Sequence, residues 1–361
     1  MYGRIQEPQL SYPDLAEAAL SIGPFKGLRK WSRCFRYAVD FTITFDLYGS
    51  CCVYLVIIGR TMKQLVEGVQ EVTDEAVGNS PSLRVYILTL LLPTIAICMI
   101  LTLKYLAPFS IVADLFIITV VGATVYYGGK AVDRSPFEYP IFTSTFGVFE
   151  YMGMCVFSME GVGVAMAIEN TMTDPKKFYI VLICGMSCVV SCVMTVGFMG
   201  YWGYGMGAHS PITVNFPIDE TFPLVLKVMM AIVIYVTFAL NFWVPFNLCW
   251  YYLQKRHELD THWIWERVYR AIAVTLITLI AFLFPNIYNF IGLLGSFCLS
   301  NMGFIYPAFI ELTLVWTDPG LGPGKWRLWK FVAILIFGCI LMVMGTYTNA
   351  KGMIQTLLRG W

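Results

Sequence analysis

Charged side chains are scarce in this 361-residue sequence. Asp, Glu, Lys and Arg together make up 13% of it, whereas hydrophobic residues make up 58%. A soluble domain typically carries about 25% charged residues, so this composition excludes an ordinary soluble protein. The net charge is +1, and the sequence has no basic stripe with interleaved aromatic residues. We therefore expect no nucleic-acid partner.

Motifs for catalysis and for cofactor binding are also missing. The sequence shows no nucleotide-binding loop after a strand, no metal-ligand cluster and no catalytic triad. Nearly all of the eleven cysteines lie in apolar runs, where cysteine acts as a small packing residue, so we expect no structural disulfide. Residues 1–36 are polar and have no apolar core, so we expect no cleavable signal peptide. The sequence therefore predicts a protein that is not an enzyme and that has no cofactor and no metal.

Long apolar runs, by contrast, recur along the whole chain. Each has about 20 residues, which is enough to cross a lipid bilayer as a helix. We predict nine such spans: 37–59, 84–103, 109–128, 145–168, 178–200, 223–250, 268–285, 288–312 and 328–348. The predicted fold class is an all-α polytopic membrane protein. Its parts are a cytoplasmic N-terminal segment (1–36), a transmembrane domain (37–348) and a short C-terminal tail (349–361).

Lysine and arginine are distributed unevenly between the connections of these spans. With the N-terminus in the cytoplasm, 16 of the 24 basic residues fall on the inner side. The outer connections 201–222 and 286–287 contain none. Because basic residues accumulate on the cytoplasmic side of membrane proteins, we predict a cytoplasmic N-terminus and a C-terminus outside or in a lumen.

The fourth predicted span contains an acid and two glycines near its middle. In the stretch FSMEGVG, Glu160 is followed by Gly161 and Gly163. An acid at this depth costs roughly 2.5–3.5 kcal/mol, and each glycine weakens helix propensity by about 1 kcal/mol. A span that unwinds here would free backbone groups to hold a substrate, as in transporters with broken helices. Alternatively, the glycines allow close helix packing and Glu160 is a neutral, hydrogen-bonded core acid.

Two further spans carry polar residues that are candidates for function. Asp46 lies in the first span, and the sequence fits a proton relay and a structural pairing there equally well. Asn241, followed by Trp243 and Pro245 in ALNFWVPFN, is a candidate for lining a pore through its side-chain amide. Pro245 removes a backbone donor, so we also expect a kink in this span.

Three stretches together resemble one family of membrane proteins. FSMEGVGVAMAIENTM resembles the sixth helix of the proton-coupled amino acid transporters in the amino acid/auxin permease superfamily, which has an F-x-x-E-G-[IV]-G core. FALNFWVPFNLCWYYL resembles the eighth helix of that family, and IGLLGSFCLSNMGFIYPAFIEL resembles the tenth. Together with the spacing between spans, the resemblance covers essentially the whole chain.

The resemblance implies a fold of eleven helices, in which the first ten form two inverted repeats of five and helices one and six are broken. The nine predicted spans correspond to helices three to eleven, so we expect this sequence to lack the first two. The implied function is proton-coupled transport of small neutral amino acids, by alternating access, in a plasma or lysosomal (vacuolar) membrane. The alternative is a truncated, non-transporting form that regulates a full-length transporter or senses nutrients. We expect self-association or pairing with an intact homologue.

The resemblance also implies roles for individual residues. The backbone around the break is expected to contact the amino acid, with Glu160 fixing the shape or polarity of that loop. The candidate substrate-binding residues are Phe157, Ser158, Glu160, Gly161, Gly163, Asn241 and Trp243. The candidate proton-coupling residues are Glu160 and Asp46.

Overall fold

The fold is taken from a computed structural model of the chain. The structure describes residues 10–24, 26–68, 81–100, 107–140, 142, 144–159, 161, 165, 169, 172, 174–316 and 320–359. All regular secondary structure in these residues is helical. The predicted all-α class is therefore confirmed.

The α-helices of more than four residues in the described part of the chain are labelled α1 to α13 in chain order. They are α1 (Tyr12–Ile22), α2 (Ser32–Glu67), α3 (Leu83–Thr89), α4 (Leu91–Cys98), α5 (Ala107–Lys130), α6 (Thr145–Ser158), α7 (Phe178–Tyr204), α8 (Thr221–Leu253), α9 (His262–Leu283), α10 (Ile287–Leu294), α11 (Tyr306–Val315), α12 (Trp326–Ile340) and α13 (Thr346–Arg359). Two π-helical stretches, Gly295–Leu299 and Asn301–Ile305, connect α10 to α11. A third π-helical stretch, Leu341–Gly345, joins α12 to α13.

Six helical stretches in the described part of the chain are long and apolar enough to cross a membrane. They are Ser32–Glu67, Ile111–Lys130, Phe178–Gly207, Thr221–Arg256, Ile287–Val315 and Trp326–Gln355. These correspond to six of the nine predicted spans. The remaining three predicted spans overlap shorter or more polar helices: 84–103 overlaps α3 and α4, 145–168 overlaps α6, and 268–285 overlaps α9. Helix α9 carries three charged residues in its first half, which are Glu266, Arg267 and Arg270. The count of nine spans and the inverted repeats therefore stay predictions.

Several helices continue beyond the ends of the predicted spans, because their polar ends also stay helical. α2 runs on to Glu67 instead of ending at 59, and α9 begins at His262 instead of 268. The polar end of α2 stays ordered because its side chains find backbone acceptors. Arg60 donates to the Ser210 carbonyl (3.0 Å), and Gln64 donates to the carbonyl of Val214 (2.9 Å).

The chain divides into two compact units, which are described separately. The first comprises Met1–Asp46, Thr145–Cys188 and Ile291–Lys351, and the second comprises Leu47–Ser144, Val189–Phe290 and Gly352–Trp361. In the first unit, α1 packs on α11, α6 packs on two of the π-helical stretches, and α12 packs on the third and on α11. In the second, α8 packs against α4 and α5, while α9 packs against α3 and α4.

Helix α1 lies within the segment that the sequence marks only as polar. Ser11 caps its N-terminus, where its hydroxyl oxygen accepts from the Asp14 amide, and Pro13 stands in the first turn, where its missing N–H costs no hydrogen bond. The apolar residues of α1 follow helical spacing and are buried. They are Tyr12, Leu15, Ala16, Ala19 and Leu20. One face of α1 is thus fully covered by the first unit.

Helix α8 presents an aromatic face inside the second unit. Four aromatic residues recur at four-residue spacing, which places them on one side of the helix. They are Phe238, Phe242, Phe246 and Trp250. Their rings stack in sequence with centroids 5.6 to 6.4 Å apart. The helix runs without interruption past Pro245.

Candidate functional site

Helix α6 ends where the sequence predicts a break in the fourth span. Its last residue is Ser158, whose hydroxyl donates to the Cys155 carbonyl oxygen at 2.7 Å. The Met159 amide donates to the Val156 carbonyl oxygen at 3.2 Å. This contact spans three residues instead of four, so the backbone tightens as the α-helix stops.

Gly161 is the third residue after Ser158, the last residue of α6. It is half-buried, and its carbonyl oxygen accepts from the Ala165 amide at 2.9 Å. A Cβ on Gly161 would have no atom of the described residues within 4 Å. Close packing against those residues therefore does not account for this glycine. Glu160 and Gly163 lie outside the described residues, and their roles stay predictions.

Other glycines, unlike Gly161, are closely packed and let α6 approach its neighbours in the first unit. A Cβ on Gly153 would stand 2.6 Å from the Gly292 carbonyl oxygen and closer still to the Ser296 hydroxyl. A Cβ on Gly345 would meet the same hydroxyl. Ser296 is completely buried. The backbone of α6 thus lies directly against the backbone of Gly292 and Gly295 and against the Ser296 hydroxyl.

Phe157 stands at the end of this close contact. It is half-buried, and its Cβ lies 3.2 Å from the position that a Cβ on Gly295 would take. An alanine at 295 would also collide with the Gly153 carbonyl oxygen. These contacts leave little space between α6 and its neighbours. They therefore fix the position of α6 as far as Phe157, the residue before its last one.

The π-helical stretches were not predicted, although the sequence carries a signal for them. Pro307 has no N–H, so the carbonyl of Gly303 loses its α-helical partner. Nearby, the Asn301 side-chain amide donates to the Phe297 carbonyl oxygen at 2.6 Å and contacts the Met342 sulfur at 3.3 Å. A glycine and a proline four residues apart in one span therefore mark an irregular helix, and π-helical turns occur often at functional sites.

The structure places Asp46 inside the first unit. Its side chain is buried, with 1% of the residue exposed. Thr42 lies four residues earlier on the same face of α2, and its hydroxyl is 3.0 Å from that of Tyr306 on α11. The proton relay and the structural pairing considered for Asp46 both fit this burial.

Asn241 and Trp243 lie on α8 in the second unit, and both are half-buried. The Asn241 side-chain amide donates to the Tyr54 hydroxyl at 2.8 Å. Tyr54 is a candidate site residue that the sequence did not single out. The predicted site residues are therefore divided, with Asp46, Phe157, Ser158 and Gly161 in the first unit and the α8 pair in the second.

The second unit also buries cations that no sequence pattern marked, among them Arg270 and Lys227. Arg270 is 2% exposed; it donates to the Cys98 carbonyl oxygen (3.0 Å) and to Glu266 Oε1 (2.8 and 3.1 Å). Lys227 is 1% exposed and donates to the carbonyl of Phe216 at 2.9 Å. Both cations donate hydrogen bonds to oxygen acceptors, and these bonds offset the cost of burying a charge. Among the described residues, no group of three or more His, Cys, Asp or Glu side chains could hold a metal ion.

Comparison with known proteins decides the family. The family described as "Transmembrane amino acid transporter protein" matches residues 5–350. The chain belongs to this family. Membership confirms the family suggested by the three stretches, and it makes the chain an integral, multi-pass membrane protein of a transporter family that is not enzymatic.

Two relatives show how far this similarity extends. The chain is 34% identical over 362 residues to the "Proton-coupled amino acid transporter-like protein pathetic" of Drosophila melanogaster, covering 98% of this chain and 74% of the relative. It is 28% identical over 325 residues to "Amino acid transporter AVT3C" of Arabidopsis thaliana, covering 87% of this chain and 71% of that relative. No solved structure matches this member of the transmembrane amino acid transporter family.

Proposed function

We propose that this chain carries small neutral amino acids across its membrane together with protons, by alternating access. The observation that carries the proposal is the match to transmembrane amino acid transporters over residues 5–350. Proton coupling is supported by the similar Drosophila protein, whose name includes it. The proposal includes nine spans that correspond to helices three to eleven of the eleven-helix inverted-repeat fold, a cytoplasmic N-terminus, and a plasma or lysosomal (vacuolar) membrane as location.

The proposed substrate site is the break that follows α6. The C-terminal end of a helix carries a partial negative charge, which attracts cations. In this proposal the last carbonyl groups of α6, those of Phe157 and Ser158, hold the ammonium group of an amino acid, which the end of the helix at Ser158 supports. Transporters with broken helices hold the carboxylate at the start of the following half-helix. Gly161, which packs closely on no described residue, supports an unwound backbone between these two ends.

The proposed proton carriers are Glu160 and Asp46. An ionised carboxylate at the centre of a bilayer costs roughly 2.5–3.5 kcal/mol, whereas a protonated one carries no charge. An acid that binds a proton on one side and releases it on the other therefore couples the proton gradient to movement of the site. Asp46 is almost fully buried in the first unit, which supports such a role.

Uptake by purified protein tests the proposal. The 361-residue chain is reconstituted in liposomes, an inward proton gradient is imposed, and labelled alanine, glycine and proline are supplied. We expect accumulation above the external concentration, and we expect a protonophore to abolish it. Labelled lysine and glutamate serve as controls that should not accumulate.

Three results would contradict the proposal. Folded protein, identified by a cooperative thermal transition, that gives no uptake would contradict transport and would favour the regulatory alternative. Uptake driven equally by a sodium gradient without a proton gradient would contradict proton coupling. Accumulation of charged amino acids in preference to alanine would contradict the proposed substrate class.

A further inference from the structure

The N-terminal helix α1 is docked on α11 by a buried apolar face. Ala16 and Ala19 are completely buried, and Leu15 and Leu20 are 5% and 3% exposed. These residues lie on the face of α1 that packs on α11. Burial of two leucine side chains stabilises the docked helix by roughly 3 kcal/mol or more. Helix α1 is thus an integral part of the first unit.

Polar contacts fix both ends of α1. Near its start, Arg36 of α2 bridges two acids, with Nη2 3.0 Å from Asp14 Oδ1 and Nη1 3.1 Å from Glu17 Oε2. After its end, the carbonyl oxygen of Gly23 accepts from Arg29 Nε at 3.0 Å. Helix α1 therefore has a defined register on α2, in addition to its packing on α11.

The first residue of α1 reaches the π-helical backbone. The Tyr12 hydroxyl donates to the Met302 carbonyl oxygen at 3.0 Å, and the contact is buried. Met302 belongs to the π-helical stretch Asn301–Ile305, directly before α11. Burial, with a smaller contribution from nearby Tyr306, raises the pKa of Tyr12 above its ordinary value. The hydroxyl therefore keeps its proton and remains a donor at any physiological pH.

The first half of α2 is joined to the same region. The Phe35 ring contacts the rings of Tyr306 and Phe309 edge-on, with centroids 5.3 and 5.7 Å apart. The Thr42 hydroxyl makes a hydrogen bond with that of Tyr306. Helix α1, the start of α2, and α11 with the stretch before it therefore share one set of contacts.

We propose that Tyr12 and Arg36 are positioning residues: α1 stays docked throughout the transport cycle, and the Tyr12 hydroxyl holds the stretch Asn301–Ile305 in the shape that turnover requires. This inference rests on the proposed transport function. The hydroxyl acts through the Met302 carbonyl and touches no substrate. Arg36 keeps α1 in register, so that the hydroxyl stays opposite that carbonyl.

A single-atom variant tests the hydroxyl. Tyr12→Phe keeps the ring and removes the donor, and a buried carbonyl that loses its donor costs enough to change an equilibrium by about fivefold or more. We expect kcat for alanine uptake to fall by about fivefold with KM unchanged. Amide hydrogen exchange should accelerate at residues 301–305. Tyr347→Phe, on the exposed side of α13 in the same unit, is the matched control and should change neither measurement.

An engineered disulfide tests whether α1 stays docked. A Cβ on Gly23 would lie 3.6 Å from the Thr313 Cβ, which is within the usual Cβ–Cβ range of a disulfide, about 3.5–4.5 Å. The pair Gly23→Cys with Thr313→Cys should therefore cross-link α1 to α11. We expect the cross-linked protein to transport as fast as the same protein after reduction. The two single variants, treated with the same oxidant, control for the native cysteines.

The outcomes separate this inference from the proposed function. Loss of transport on cross-linking, restored by a reductant, would show that α1 must undock and would overturn the inference. Unchanged exchange at 301–305 and unchanged kcat in Tyr12→Phe would also overturn it. Protein that is folded but moves no amino acid would contradict the proposed function instead. In that case hydrogen exchange still decides whether the Tyr12 hydroxyl holds the π-helical stretch.

Discussion

Of two alanine substitutions a short distance apart, one should destabilise the protein and the other should leave its stability unchanged. A Cβ on Gly153 would stand 2.6 Å from the Gly292 carbonyl oxygen, whereas ordinary contacts of this kind are 3.4–4 Å. Helix α6 would have to move by about 0.8 Å away from a backbone that is itself buried, and overpacking of this kind costs about 1–3 kcal/mol. A Cβ on Gly161, by contrast, would meet no described atom within 4 Å.

Thermal unfolding in detergent, followed by the loss of monodisperse protein, measures the difference. We expect Gly153→Ala to lower the midpoint by about 3 °C, because an unfolding entropy of about 2.1 cal/mol/K per residue gives about 1.3 °C per kcal/mol for 361 residues. Gly161→Ala should leave the midpoint within about 1 °C of the wild type, since the added Cβ meets no atom of the described residues. Uptake should nevertheless fall in Gly161→Ala, because alanine favours the helix that the proposed break must leave. A Gly153→Ala protein that unfolds at the wild-type temperature would refute the close backbone contact.

Two more substitutions test the proposed proton carrier and a buried cation. In Glu160→Gln the side chain keeps its size but can no longer exchange a proton, so we expect uptake to lose its dependence on pH. Glu150→Gln on α6 is the control and should keep that dependence. If the pH dependence persists, Glu160 is not the coupling group and Asp46→Asn is the next variant to measure. Arg270→Leu leaves Glu266 without its buried partner and should lower the free energy of unfolding by about 3–5 kcal/mol. The exposed Arg267→Leu should change it by less than about 0.5 kcal/mol, and equal losses in both variants would contradict a special role for the buried cation.

The candidate site could be predicted only in part. The end of α6 follows from local signals, because an acid and glycines in an apolar run oppose a regular helix. That signal places the break close to Ser158, where the structure ends the helix. The partner of Asn241 could not be predicted, because Tyr54 is far away in sequence and nothing in its own neighbourhood marks it. The roles of Glu160 and Asp46 stay predictions that the variants above test.

Glycine shows most clearly where sequence reasoning stops. Gly153 and Gly161 look alike in the sequence, since both interrupt an apolar helical run. In the structure, Gly153 is required by the backbone and the Ser296 hydroxyl packed against it, whereas Gly161 is not required by any described contact. The distinction depends on which distant segment packs there. Local pattern carries no information about that choice.

The sequence by itself determined the class of the protein, the apolar segments that are candidates to cross the membrane, and the family. Each of these depends on composition or on short motifs, because a bilayer requires long apolar helices whatever their partners are. Only the tertiary structure decided that α1 docks on α11, that Tyr12 reaches the Met302 carbonyl, and that Arg270 is buried. These features join residues that are distant in the chain. They depend on shape and on paired donors and acceptors, which a hydropathy pattern does not encode.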